Sequence, residues 1–565
     1  TTVVFENLYS DGALLAAHAD LEDEEQTVYI PEIHTTAKDQ TTKINHTEAN
    51  KTATIVDTVS YTNLLPGREY TVSGTLMDKE TGKAVLADGK EITASTTFTP
   101  EKSEGSVDVI FTFDASIVAP KTVVAFETLT YKKIQIAVHA DIEDKDQTVY
   151  IPTIRTSAKD NVTGINHTEA DKEVTITDTV TYKGLEVGRE YTVSGTLMNQ
   201  RTGAKILVNG KPVTASTTFT AEEKEGSVEV VFTFDATALE GTTTVVFETL
   251  YTENKEVAAH TDINDKGQTI YIPKIRTTAI SDDTNDHVTK ADEKITLIDT
   301  VAFTSLEVGR EYTVKGVLMD KSAEKTLLVN GEEVTAETTF VPETTDGTVD
   351  VTFTFDGTGL EDTVIVVFET LYTEKKEVAV HADITDEEQS VYVPEIHTKA
   401  EDATTEINHT EALPKAKIVD TVSYSSLLPG KEYTMTGTLM NKKTGEPILI
   451  DGNPVTSQVA FMAEKPEGSV KIVFLFDASV LAGTTVVAFE SLTYKGVEVA
   501  VHADIEDKDQ TVYIPEIHTT AVGEDTKDHV TEAKKDVTIV DTVSFKSLEV
   551  GREYTVKGVL MDKSA

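Results

Sequence analysis

Three observations predict an all-β chain built from tandem β-sandwich domains. One pattern returns at a fixed period of 121 residues across the 565-residue chain. The apolar runs are dominated by Val, Thr, Ile and Tyr, the residues that fit a pleated, half-buried surface. Almost nothing carries the 3.6-residue periodicity of a long amphipathic helix.

The period is visible in the stretch HADIEDKDQTVYIP, from His139 to Pro152, which recurs with small changes from His18, His260, His381 and His502. Gln26, Gln147, Gln268, Gln389 and Gln510 keep the same 121-residue step. So do Glu6, Glu127, Glu248, Glu369 and Glu490, the series Asp57, Asp178, Asp299, Asp420 and Asp541, and the series Thr35, Thr156, Thr277, Thr398 and Thr519. A unit of this length is too long for a solenoid turn and suits one independent sandwich.

Within the first intact unit the elements follow in order. The I-x-T-x-A run opens it at Ile33, and TATIVDTVSY (52–61) follows. Leu-Pro-Gly at 65–67 turns the chain into REYTVSGTLM (68–77), and Asp-Gly at 88–89 marks a hairpin. SVDVIFTFD (106–114), TVVAFETLTY (122–131), IQIAVHAD (134–141) and QTVYIP (147–152) complete the set. Short strands separated by turn signals predict an immunoglobulin-like sandwich. The expected division is 1–31 as the C-terminal part of a truncated repeat, four full repeats at 32–152, 153–273, 274–394 and 395–515, and 516–565 as the N-terminal part of another. The chain is thus expected to be a window on a longer array. Only eight residues, TVYIPTIR, separate Gln147 from Thr156, and such a short connection with a proline predicts a beaded, monomeric rod.

Composition narrows the function classes. A net charge of −47, from 97 acidic and 50 basic residues, argues against nucleic acid or an anionic membrane surface as partner. No segment approaches the length of a transmembrane helix. There is no cysteine, so disulfides and zinc–thiolate sites are excluded. No cofactor or metal is expected.

Strand alternation assigns faces to the residues that keep step. Asp57 shares a face with Ile55, Val59 and Tyr61; Asp178 and Asp299 sit likewise. An isolated carboxylate on that apolar face is costly, so it must be protonated or hydrogen-bonded. Thr35 alternates with Ile33 and Ala37, Gln147 with Val149 and Ile151, and Glu127 interrupts an apolar run. Each unit therefore buries a Thr, an Asp, a Glu and a Gln, with a His nearby. A Thr hydroxyl becomes a nucleophile beside a base, a Gln side chain is an acyl donor with ammonia as leaving group, and paired carboxyls can shuttle one proton. This set could form an ester between Thr Oγ and the Gln side chain. The same residues also suit a buried polar network with no bond formed.

The runs VVAFETLTY, DTVSYTNLLPGREYTVSGTLMDK and HADIEDKDQTVYIP resemble the Thr–Gln ester-bond domains of Gram-positive surface adhesins, also called VaFE-repeat proteins. The resemblance covers essentially the whole chain. It implies an immunoglobulin-like shaft whose domains form an intramolecular ester autocatalytically, as a single-turnover event rather than an enzyme activity. By that resemblance Thr35 is the nucleophile, Gln147 the acyl donor, Asp57 and Glu127 the proton carriers, and His139 the group that polarises the Gln carbonyl. The later sets are Thr156, Asp178, Glu248, His260 and Gln268; Thr277, Asp299, Glu369, His381 and Gln389; and Thr398, Asp420, Glu490, His502 and Gln510. It also implies an extracellular, cell-wall-anchored stalk that meets the wall, and any host or surface ligand, through other domains.

Other readings compete. Thr58 also keeps step, but it alternates away from the Asp57 face. Asp141, Glu143, Asp144 and Asp146 crowd one loop and could hold Ca²⁺, yet the third copy has Asn264 and Gly267 where two of them stand. A Lys–Asn isopeptide bond needs a Lys in register, and Lys38 and Lys159 become Ile280 and Glu401. A Thr-His-Asp hydrolase would repeat one active site in tandem without a Gly-rich nucleophile turn. An adhesive array without cross-links has no marked binding face.

Overall fold

A computed structural model describes residues 1–563. The chain falls into two compact units, Thr1–Lys274 with Thr304–Glu307, and Ile275–Phe303 with the residues from Val308 onward. Each holds complete β-sandwich repeats, and the first repeat serves as the pattern.

Its main strands are β1 (Glu32–Asp39), β2 (Ala53–Thr62), β3 (Tyr70–Asp78), β4 (Thr93–Phe98), β5 (Gly105–Phe113), β6 (Thr122–Tyr131), β7 (Ile134–His139) and β8 (Thr148–Tyr150), and a short hairpin pairs Leu86–Ala87 with Lys90–Glu91. One sheet has the order β5-β2-β1, and the facing sheet the order β4-β3-β6-β7, with β8 also pairing with β6. All these pairings are antiparallel. The same pair of sheets recurs in the other three repeats, and in the third a short strand, Lys325–Thr326, is added at the edge.

Period-2 alternation builds both inner faces. Along β2 the residues Ala53, Ile55, Asp57, Val59 and Tyr61 are buried, while their neighbours are more accessible. Ile55, Val59, Val72, Leu76, Val109, Phe111, Val123 and Leu129 meet in one core. Asp88 and Gly89 both adopt left-handed φ, 50° and 77°, as a two-residue hairpin between strands requires.

Two features of the register position the site. Asp57 lies mid-sheet, opposite Ala37 on one side and Val109 on the other. β6 changes partner along one edge: residues 122–124 pair with β8, and residues from Glu127 on pair with β7, where Glu127 faces His139. The loop between β7 and β8 returns into that gap, and its end is held where Ala125 N donates to Gln147 O (3.1 Å). Ala37 N donates to Asp146 O (2.9 Å), tying β1 of one sheet to the loop of the other. Among the described residues no helix is long and apolar enough to cross a membrane.

Candidate cross-link site

Gln147 turns its side chain back into the gap beside β6. Its Nε2 donates to Thr35 Oγ1 (2.7 Å) and to Glu127 Oε2 (2.7 Å), and Thr35 Oγ1 lies 3.3 Å from Glu127 Oε2. Asp57, Glu127 and Gln147 are fully buried, and Thr35 is 5 % exposed. The four residues come from both sheets and span 112 residues of chain between Thr35 and Gln147.

Proton placement follows from hydrogen-bond supply. Both Asp57 oxygens and Glu127 Oε1 lack an N–H donor, although the two carboxyls are neighbours. A proton on Glu127 Oε1 supplies the missing donor and satisfies both groups. Burial, and then the Asp57 charge, push the Glu127 carboxyl well above its ordinary value. Burial also raises Asp57, while bonds from Glu127 and Thr35 oppose that rise. Two buried carboxyls thus share one proton at neutral pH.

The third repeat reproduces this geometry, with Gln389 Nε2 at 2.8 Å from both Thr277 Oγ1 and Glu369 Oε2. Asp299 is fully buried beside them. In the second repeat Gln268 Nε2 donates to Glu248 Oε2 (2.9 Å), and in the fourth Gln510 Nε2 donates to Glu490 Oε2 (2.7 Å). There the Thr156 and Thr398 hydroxyls are buried without a well-formed hydrogen bond. Burial raises Asp178, Glu248, Asp420 and Glu490 as in the first repeat.

The histidine meets a loop carboxylate in this structure. His139 Nε2 pairs with Asp144 Oδ2 at 2.8 Å, and Gln147 Oε1 accepts no hydrogen bond, so the expected contact between them is absent. His260, His381 and His502 pair likewise with Asp265, Asp386 and Asp507, at 3.1, 3.0 and 2.9 Å. The carboxylate is the stronger acceptor and lies on the same loop, so it takes the ring N–H.

Thr58 faces away from the cluster and donates to Asp108 Oδ1 (2.8 Å) on the outer face of its sheet. The loop acids serve the backbone. Asp141 Oδ1 accepts from Glu143 N (3.0 Å) and Asp144 Oδ1 from Asp146 N (2.8 Å), two Asx turns that shape the approach to Gln147.

Asp144, Gly74 and Phe111 take roles at the site that alternation and spacing do not reveal. Asp144 keeps the 121-residue step, as Asp23, Asp265, Asp386 and Asp507 show, but it was submerged in an acidic run. Gly74 faces Glu127 across β3 and β6, and a Cβ there would lie 2.5 Å from Phe111 Cζ. Gly195, Gly316 and Gly437 stand against Phe232, Phe353 and Phe474 in the same way. The signal was a glycine and a phenylalanine in step, each inside a strand where glycine is otherwise unfavourable.

Fold and site together define a class: tandem β-sandwiches in which a hydroxyl on the first strand meets a carboxamide at the last, over a proton-sharing carboxyl pair. The chain belongs to the family described as T-Q ester bond containing domain, whose model matches residues 1–30, 31–151, 152–272, 273–393, 394–514 and 515–565. Among solved structures it is similar to a bacterial adhesin from Mobiluncus mulieris containing intramolecular disulfide, isopeptide and ester bond cross-links. The identity is 15 %, over 48 % of this chain and 97 % of that one, with a TM-score of 0.20. It is also similar to Escherichia coli alpha-2-macroglobulin activated by porcine elastase, at 9 % identity over 88 % of this chain and 46 % of that one, with a TM-score of 0.17. No curated protein matches in sequence.

Proposed function

We propose that each complete repeat joins its Thr Oγ to its Gln side-chain carbonyl as an ester, and that the array is the stalk of an extracellular surface adhesin. The observation that carries the reading is the placement of Gln147 Nε2, at 2.7 Å from both Thr35 Oγ1 and Glu127 Oε2 in a buried site.

The step balances. Thr35 Oγ attacks Gln147 Cδ, and its proton passes to Glu127 Oε2 as the Oε1 proton moves to Asp57. The C–N bond breaks, and the Oε2 proton goes to the departing Nε2, so ammonia leaves and one proton again remains on the carboxyl pair. His139 is assigned to the developing oxyanion. In the second repeat His260 Nδ1 and Gln268 Oε1 are both buried without partners, which supports a ring nitrogen facing the carbonyl as charge develops there. The reaction is a single turnover with no cofactor, and burial shields the ester from water.

An ester from β1 to the residue before β8 ties the two sheets together where the chain enters and leaves the repeat. Tension would then pass through covalent bonds instead of the strand ladders, which suits a stalk anchored to a Gram-positive wall. The net charge of −47 favours a self-repelling, soluble surface.

Intact mass with tryptic mapping tests the proposal. Each ester removes about 17 Da as ammonia. Four such losses, with the Thr35 and Gln147 peptides joined, are expected. A mass equal to that of the sequence refutes cross-linking and leaves the polar network.

A further inference from the structure

The short segment after the first strand of a repeat does not stay within its own sandwich. In the first unit Ile44 packs against the core of the second repeat. Two residues on, His46 is fully buried, stacked 5.0 Å from Tyr150 of its own repeat and edge-on to Tyr191 of the next at 5.7 Å. His46 Nε2 lies 2.7 Å from Tyr191 Oη, and that oxygen already accepts from Glu186 N (2.9 Å). The phenol therefore gives its proton to a neutral imidazole. Arg189 closes the contact by reaching Asn45 Oδ1 (3.4 Å) and Glu253 (2.7 Å).

In the second unit the third repeat meets the fourth by different chemistry. Val288 stands where His46 stands and belongs to the core of the fourth repeat. Asp286, in the place of Ile44, accepts from Tyr494 Oη (2.7 Å) and pairs with Lys495 (2.7 Å) and Lys431 (3.4 Å). At the positions of Tyr494 and Lys495 the second repeat carries Thr252 and Glu253. The fourth repeat returns to the first chemistry, with His409 Nε2 at 2.7 Å from Tyr554 Oη.

We propose that this segment is a plug, that the face of the following repeat is its socket, and that matched residues decide which repeats can be neighbours. An Ile-Asn-His plug fits a socket bearing Thr-Glu, and an Asp-His-Val plug fits one bearing Tyr-Lys. The sequence keeps the match within each unit: the N-H-T segment at 45–47 precedes a repeat with Tyr-Thr-Glu at 251–253, and the D-H-V segment at 286–288 precedes one with Thr-Tyr-Lys at 493–495. Crossing the pairs is costly. Asp286 in a Glu253-type socket would bring two carboxylates together in a half-buried contact. Repeats joined in this way within a unit are coupled neighbours whose stability includes an interface term, not independent beads.

The test is hydrogen exchange on the full chain, reading the plug peptide 284–290 with the first plug, 42–48, as internal control. Lys495→Glu is expected to speed exchange of 284–290 at least about tenfold, while 42–48 is unchanged. In an Asp286→Ile background the same substitution is expected to change exchange by less than about twofold, because the repulsion has lost its partner. Salt at ~1 M should speed 284–290 selectively, since Lys431 and Lys495 are partly exposed. The proposal is overturned if Lys495→Glu leaves 284–290 unchanged, or acts equally with and without Asp286.

Discussion

Removing the Thr35 hydroxyl isolates what the covalent tie contributes. Thr35→Ala leaves Glu127 as acceptor for Gln147, since that bond is separate, so the local polar network loses only the two bonds of the Thr35 hydroxyl. The larger loss is the constraint on the unfolded chain. A closed loop of 112 residues reduces its entropy by an amount worth about 5 kcal/mol at 25 °C on the loop-closure model. At ~4 °C per kcal/mol for a domain of this size, one repeat should melt about 20 °C below the others. Calorimetry of the full chain should resolve an early transition of about one quarter of the total enthalpy, and the mass should show three ammonia losses instead of four. Thr35→Ser should restore both. Coincident melting of the Thr35→Ala and unsubstituted chains, in a sample whose peptides are shown to be joined, would refute the mechanical and entropic reasoning.

Other outcomes follow from the same geometry. Thr58→Ala, which removes only the outward bond to Asp108, should leave all four mass losses in place and shift stability by less than about 0.5 kcal/mol; a lost cross-link would reassign the nucleophile. Gly74→Ala drives a methyl to 2.5 Å from the Phe111 ring and should destabilise its repeat by about 1–3 kcal/mol in urea titration, with Phe111→Leu relieving most of the cost. The carboxyl pair gives a pH dependence in the Thr35→Ala chain, where no ester has formed. The native repeat holds a proton that the unfolded chain releases near pH 4.5, so stability is full below that value and falls as pH rises, by up to about 1.4 kcal/mol per unit. Melting of that repeat should drop from pH 5 to pH 7, and Glu127→Gln should flatten the slope; a melting point that rises over this range would contradict proton sharing.

Much of this protein is local and therefore legible in its residues. The 121-residue period, the strands and the faces follow from alternation, because side chains in a strand point to opposite sides by geometry alone. That rule placed Asp57 inward and Thr58 outward, and the structure has them so. It also put Thr35 and Gln147 on buried faces at opposite ends of a unit.

What alternation does not carry is the pairing of distant segments. That Thr35 and Gln147 meet depends on the partner change along β6, which opens a gap for the returning loop. The choice of Asp144 over Gln147 by His139 depends on the curl of two Asx turns. The void that Gly74 leaves for Phe111 exists only once the two sheets face each other. The plug and socket lie 145 residues apart, as between His46 and Tyr191, and belong to different repeats. A residue's own chemistry and its strand phase are properties of the chain, whereas its partner is chosen by sheet register and packing, which only the folded molecule decides.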